Sequence, residues 1–246
     1  YMQSIEAPFV YRVHEKPTEE KATTFRAFAQ TLGLTARFSA QDVKPYDYQN
    51  LLKAAEELPS YSVLNRVMLR SMQKAVYSPQ NQGHFGLNEK CYCHFTSPIR
   101  RYPDLVVHRI LKAVLEGRVG EILEEYETTI DEIASHTSDC ERKADLIERD
   151  VDDIYVCKFM ENFIGDFFEV IVSGVTSFGI FVRLENAVEG LIRLEHLPKG
   201  RYEFFEESFT LKSNKLSFKL GDSLIAKLVA TDSSVGRIYF ELVKKL

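Results

Sequence analysis

Apolar residues recur at three- and four-residue steps through the first two thirds of the chain, and near Gly165 the period changes to alternation. After Pro17 and Thr18, Phe25, Phe28, Ala29 and Leu32 fall at helical spacing, which predicts a helix with Thr18 as its N-cap and Gly33 as its stop. A second helix is expected near Pro45 with Leu51, Leu52 and Ala55. A third, after Pro59, sets Leu64, Val67, Met68 and Ala75 along one stripe. Turn chemistry fills residues 77–90, YSPQNQGHFGLNEK, and CYCHF then reads as a short strand. Pro103 suits a first helical position and Asp104 complements the helix dipole. That helix carries Leu105, Val106, Ile110, Leu111 and Val114 and ends near Gly117. From about Tyr126 to Phe163 the pattern stays helical, with Ile130, Ile133, Thr137, Ala144, Ile147, Val151 and Ile154 on one stripe. At about 1.5 Å per residue it would exceed roughly 50 Å, with charges on its other face.

Beyond Gly165, DFFEVIVSGVTSFGIFVRLE alternates and is rich in Val, Ile and Phe. VEGLIRLEHL, KLSFKLGDSLIAKLVATD and GRIYFELV follow as further strands. Five strands in about eighty residues predict a small closed barrel, and the whole chain is α+β: a largely helical part, then a five-stranded antiparallel barrel.

Composition narrows the class. With 45% hydrophobic and 27% charged residues among 246, the chain is long enough for two globular domains. No apolar run approaches the roughly 18 residues of a bilayer span, so no membrane partner is expected. A start at Tyr1, without a signal-peptide pattern, suggests a processed or truncated product. Cys91, Cys93, Cys140 and Cys157 show no zinc-type spacing and read as buried, inert thiols in a reducing, cytoplasmic setting.

A net charge of −5 argues against non-specific adhesion to polyanions but allows a local cationic site. Between Lys90 and Arg118 the balance is positive: Lys90, Arg100, Arg101, Arg109, Lys112 and Arg118 face only Asp104 and Glu116. Within that stretch HFTSPIRRYPDLVVHRIL, residues 94–111, fixes its backbone with Pro98 and Pro103 and holds Arg100 and Arg101 between them. Such stiffness around two guanidinium groups points to the grip of an anion.

Two resemblances give these patterns a meaning. GDFFEVIVSGVTSFGIFVRLENAVEGLIRLEHL, LGDSLIAKLVATD and GRIYFEL, in that order over residues 165–246, resemble the OB-fold RNA-binding repeat of the large ribosomal protein of the small subunit. That resemblance implies base stacking by Phe178 and Phe181 and a nucleic-acid contact from Arg193, where the repeat has a basic or histidine side chain. Asp232 and Arg237 match its polar pair on the far loop. Exposed aromatics on a barrel bind single strands without reading sequence. Core packing is the alternative for both phenylalanines.

HFTSPIRRYPDLVVHRIL is similar to the signature of the ribonuclease II and ribonuclease R family of processive 3′→5′ exoribonucleases, and the arginine pair followed by YPD favours the ribonuclease R branch. The likeness extends from YRVHEKPTEEK through MLRSMQKAVYSPQNQGHFGL to ADLIERDVDD, so it spans nearly the whole chain. It implies a division into residues 1–164, the rear part of an RNB-type nuclease domain, and 165–246, the OB-fold. It further implies hydrolysis of single-stranded RNA to nucleoside 5′-monophosphates with Mg²⁺. Arg100 would contact the scissile phosphate, Arg101 would also touch RNA, and Glu148 would position the terminal nucleotide. A planar, permanently charged fork suits Arg100 to that task. The alternatives are an ion pair for Arg100 with the long helix and a solvated place on a charged helix for Glu148.

The family's metal-binding aspartate cluster has no match here, and DVDD, residues 150–153, resembles one only superficially. The upstream cold-shock-type barrels, the aromatic clamp and a lysine-rich tail after Leu246 are also without a match. The expectation is therefore a monomeric C-terminal portion of such an enzyme, with Mg²⁺ ligands outside this chain and no activity by itself. The alternative is a non-catalytic single-stranded RNA-binding protein.

Overall fold

The computed structural model describes all residues except Pro59, Ser60 and Glu207. It divides into two compact units: Tyr1–Ala22, Arg37–Asn50 and Arg70–Asp145, then Thr23–Ala36, Leu51–Leu69 and Leu146–Leu246. Each has its own apolar core.

In chain order the elements before the barrel are β1 (Tyr11–Val13), α1 (Glu19–Thr31), α2 (Pro45–Ala55), α3 (Tyr61–Ser71), β2 (Val76–Ser78), α4 (Tyr102–Leu115), α5 (Val119–Tyr126) and α6 (Ile130–Met160). Thr18 Oγ1 accepts the Lys21 N–H at 3.4 Å at the start of α1, and Gly33 past its end takes φ 78°, a left-handed conformation that spares it a Cβ penalty. Phe25, Phe28 and Ala29 are buried as the spacing predicts. Leu64, Val67 and Met68 of α3 are buried too, but the helix stops at Ser71 and Ala75 lies outside it. The expected Pro59 boundary lies outside the described residues.

The core of the first unit is built by α4, α5, the start of α6 and the β1–β2 pair: Val10, Val13, Tyr77, Val106, Ile110, Ile122 and Ala134 are all buried there. CYCHF is not a strand. It runs alongside β1 through the Arg12 N–H to Tyr92 carbonyl bond, 2.8 Å, and forms no ladder.

The long helix begins at Ile130 rather than near Tyr126, because α5 ends there. With 31 residues it is about 46 Å long. Its stripe is not buried throughout. Ile130 and Ala134 enter the first core, and Cys157 and Met160 enter the second, but Ile147 and Val151 are exposed. No residue from Asp139 to Tyr155 is fully buried. No helix among the described residues is long and apolar enough to cross a membrane.

After Gly165 come β3 (Phe167–Thr176), β4 (Gly179–Arg183), β5 (Glu189–Arg193), β6 (Glu203–Phe205), β7 (Thr210–Lys212), β8 (Ser217–Lys219), β9 (Ser223–Asp232) and β10 (Arg237–Lys245). Five of them close a barrel in the order β10–β5–β4–β3–β9, with β9 paired back to β10. Four pairings are antiparallel, as expected, and the closing β10–β5 pairing is parallel. The remaining three form a separate antiparallel sheet, β6–β7–β8, which alternation alone did not reveal because each strand has only three residues. Ile180, Val182, Ile192, Leu224, Leu228 and Phe240 fill the barrel.

Candidate functional site

The loop before α4 is held from three sides within the first unit. Phe95 stacks on His108 of α4 with centroids 4.1 Å apart, and the His108 ring contacts the Phe95 carbonyl at 2.7 Å. His94 Nδ1 lies 2.9 Å from the Tyr77 hydroxyl on β2. The Ser97 N–H donates to Asp104 Oδ2 at 2.7 Å, and the Arg101 guanidinium donates to the same oxygen at 2.9 Å. Ser97 returns its carbonyl to the Arg100 and Arg101 N–H groups, at 3.2 and 3.0 Å, which closes the turn. Asp104 is therefore more than a dipole complement. Fully buried at the first turn of α4, it is the anchor on which the loop folds.

The two arginines consequently differ. Arg101 is committed to Asp104, while Arg100 is exposed and forms no ion pair among the described residues. Beside it Ile99 projects fully into solvent. The expected alternative for Arg100, a carboxylate of the long helix, is not taken. That helix instead meets Arg12, whose guanidinium binds Glu141 at 2.5 Å and lies 4.6 Å over the Tyr77 ring. Burial holds His94 below the usual histidine range and raises the Tyr77 phenol.

In the second unit Glu148 is exposed on α6 with no ion pair among the described residues, so its carboxylate is free to accept hydrogen bonds. DVDD does not gather into a metal site: Asp150 and Asp153 share a helix face, but no group of three His, Cys, Asp or Glu forms there among the described residues. Asp153 is drawn against Gly236, and burial raises its carboxyl pKa. Among the described residues no three His, Cys, Asp or Glu side chains are grouped to hold a metal ion, so the residues present do not fit a magnesium centre. The thiols depart from expectation as well: Cys157 is buried and Cys93 partly so, but Cys91 and Cys140 are exposed, and all four are free.

The barrel presents a defined outer face. Ile180 and Ile192 point inward and are fully buried, which turns Phe181, Leu191 and Arg193 outward. Register places Phe181 of β4 against Leu191 of β5, and Leu191 against Tyr239 of β10. Phe178, 54% exposed at the β3–β4 turn, meets Phe181 edge to face at 6.1 Å. The Arg193 guanidinium lies 4.5 Å over the Tyr239 ring and 3.4 Å from Glu195. Phe181 sits over Gly174, where any Cβ would come within 3.3 Å of its ring. Core packing is thus not the role of Phe178, and Phe181 belongs to the outer face.

Register sets Arg237 opposite Asp232 across the β9–β10 turn, the two residues that the resemblance matches to a polar pair on the far loop. The Ser234 hydroxyl and N–H donate to Asp232 at 2.6 and 3.1 Å and hold its carboxyl below the usual range, so this carboxylate shapes the turn. Arg237 is exposed without an ion pair among the described residues. Sequence reading overlooked Tyr239, although its place between buried Ile238 and Phe240 carried the signal.

The chain matches the RNB domain over residues 1–117 and the S1 RNA binding domain over residues 161–242. Ribonuclease R 1 of Lactococcus lactis is 40% identical over 237 residues, 95% of this chain and 29% of that protein. This chain belongs to the ribonuclease R family. Ribonuclease R of Thermotoga maritima is 39% identical over 245 residues, 97% of this chain and 34% of that protein. The apo form of Mycoplasma genitalium RNase R superposes with a TM-score of 0.92 at 30% identity, over 98% of this chain and 39% of that one. The chain spans about a third of the length of the curated ribonuclease R relatives it matches. The free Arg100 and the Phe178–Phe181 face lie in segments matched by the RNB and S1 domains respectively.

Proposed function

We propose that this chain is the C-terminal portion of a processive 3′→5′ exoribonuclease that hydrolyses single-stranded RNA to nucleoside 5′-monophosphates. The observation that carries the reading is the division of labour in the signature loop. Arg101 and Asp104 hold its shape, and Arg100 is left exposed, without an ion pair among the described residues. A preset guanidinium can hold two phosphate oxygens and oppose the charge that grows on them as the bond breaks. Glu148 is assigned to the terminal nucleotide, where a carboxylate accepts hydrogen bonds from ribose hydroxyls. The outer face of the barrel is assigned to RNA: Phe178 and Phe181 stack on bases, and Arg193 and Arg237 meet phosphates. Mycoplasma genitalium RNase R, which the chain resembles in fold, has been solved with ribose-methylated single-stranded RNA and with double-stranded RNA.

The functional boundary is placed near residues 164 and 165, and the magnesium ligands are assigned to residues outside this chain. Incubation of the purified chain with labelled single-stranded RNA and Mg²⁺ tests the reading. Binding without hydrolysis is expected, together with mononucleotide release once the chain is joined to an RNB segment bearing the aspartate cluster. Chelator-sensitive release of mononucleotides by the chain alone would overturn the metal assignment, and absence of RNA binding would overturn the RNA assignment.

A further inference from the structure

Between β5 and β9 the chain inserts a short module, residues 199–219, whose charge differs from that of the whole. It carries Lys199, Arg201, Lys212, Lys215 and Lys219 against Glu203, Glu206 and Glu207, within a protein of net charge −5. All five cations are exposed, and none forms an ion pair among the described residues. The reason is in the strand register. Phe204, Leu211 and Phe218 face one another across β6–β7–β8 and pack into the barrel core, Leu211 and Phe218 completely. Alternation then forces their neighbours outward, so Lys212 and Lys219 share the solvent face with Phe205 and with Glu203, which lies opposite Lys212 but forms no ion pair with it. Lys215 sits in the β7–β8 turn, where its N–H and that of Leu216 donate to Ser213 Oγ at 3.4 and 3.1 Å. Asp222, the carboxylate nearest in sequence to Lys219, is occupied by Lys245 at 2.5 Å.

We infer that this three-stranded sheet is a second RNA-binding surface, which takes the sugar–phosphate backbone of single-stranded RNA extending beyond the aromatic face of the barrel. Lys212 and Lys219 on the strands and Lys215 in the turn, without ion pairs among the described residues, match repeated phosphates, and the half-exposed Phe205 ring among them offers a base a stacking plane. That ring favours RNA, in which every nucleotide carries a flat base, over an acidic peptide, whose charged side chains have no aromatic ring. The inference rests on the proposed RNA-binding reading of the barrel.

The test is fluorescence anisotropy of the full chain at several potassium chloride concentrations with two single-stranded RNAs. One is about 6 nucleotides and the other about 20, against the roughly 4–16 that an OB fold occupies. The triple variant K212Q/K215Q/K219Q is compared with the parent chain and with K212R/K215R/K219R. For the long RNA the glutamine variant should bind roughly tenfold more weakly. Its slope of log K against log salt should be shallower by about 2, since each phosphate contact on a single strand contributes about 0.7. The arginine variant should keep both, and the short RNA should not distinguish the three proteins. If the glutamine variant binds the long RNA with parental affinity and slope, the inference fails while the reading of the barrel stands. Absence of binding by the parent chain overturns both. Equal loss for both RNAs overturns the inference, and a melting curve separates that outcome from loss of the fold.

Discussion

Arg101 and Asp104, three residues apart, form a 2.9 Å ion pair whose carboxylate is completely buried, while the adjacent Arg100 stays in solvent. Arg101 Nε and Asp104 Oδ1 are buried without hydrogen-bond partners among the described residues, so this polar group tolerates little further loss. Asp104→Ala should therefore cost roughly 3 kcal/mol, because it strands the guanidinium and releases the Ser97 N–H. Arg100→Ala should leave stability unchanged. Urea unfolding of the two variants checks this, and equal midpoints would remove Asp104 from its role as anchor.

Arg100→Ala, placed in the longer enzyme that the proposed function requires, should lower kcat by roughly a hundredfold and leave RNA affinity nearly intact. Many phosphates are held elsewhere, so one contact adds little to binding. Lysine should rescue poorly, since it cannot form the bidentate bond. Single-turnover hydrolysis and a binding titration separate the two quantities, and unchanged kcat with weakened affinity would contradict the assignment.

Replacing Phe178 by alanine should weaken RNA binding by about 1–3 kcal/mol and barely move the melting temperature, because the ring is already half in water. Gly174→Ala should act on the same face indirectly, by pushing the Phe181 ring away from its seat. Gly190→Ala provides the contrast. Its Cβ would lie 2.4 Å from the ring of buried Phe240, and overpacking should destabilise the barrel by roughly 1–3 kcal/mol. Thermal melts beside anisotropy titrations distinguish the classes. A Phe178→Ala variant that unfolds would place that ring in the core.

Acid should destabilise the chain through His14. The ring Nε2 donates to the Gln73 carbonyl at 2.8 Å while Nδ1 accepts the Gly86 N–H at 3.0 Å, an arrangement satisfied by the neutral Nε2–H tautomer. Burial keeps His14 and His84 below the usual histidine pKa. The unfolded chain then binds protons more readily than the folded one. Stability should be complete above about pH 6.5 and decline as pH falls through that value. Urea midpoints across this range report the slope, which should flatten in His14→Ala although that variant is less stable throughout. A parent chain that gains stability on acidification would refute the account.

Local chemistry made much of the chain legible before any coordinates. Thr18, Gly33, Pro45 and Gly117 bound helices because caps, fixed φ angles and glycine freedom act within a few residues. The alternation around Ile180 told inside from outside because a strand has only two faces. The resemblance of the signature loop and of the ordered barrel segments to known families is what singled out Arg100, Phe178 and Phe181 as candidates.

What the sequence by itself determined, then, was most of the longer helices, the barrel strands, the fold class and the chemistry available at single positions. Only the tertiary structure decided which neighbour each side chain meets. It gave Asp104 to Arg101 and released Arg100, laid Tyr239 beneath Arg193, and turned Lys212 and Lys219 outward over Leu211 and Phe218. It also left Ile147 and Val151 exposed on a stripe whose period alone predicted burial. Periodicity reports that a face is apolar, but burial depends on whether another element arrives to cover it, and that partner is set by contacts between residues far apart in the chain.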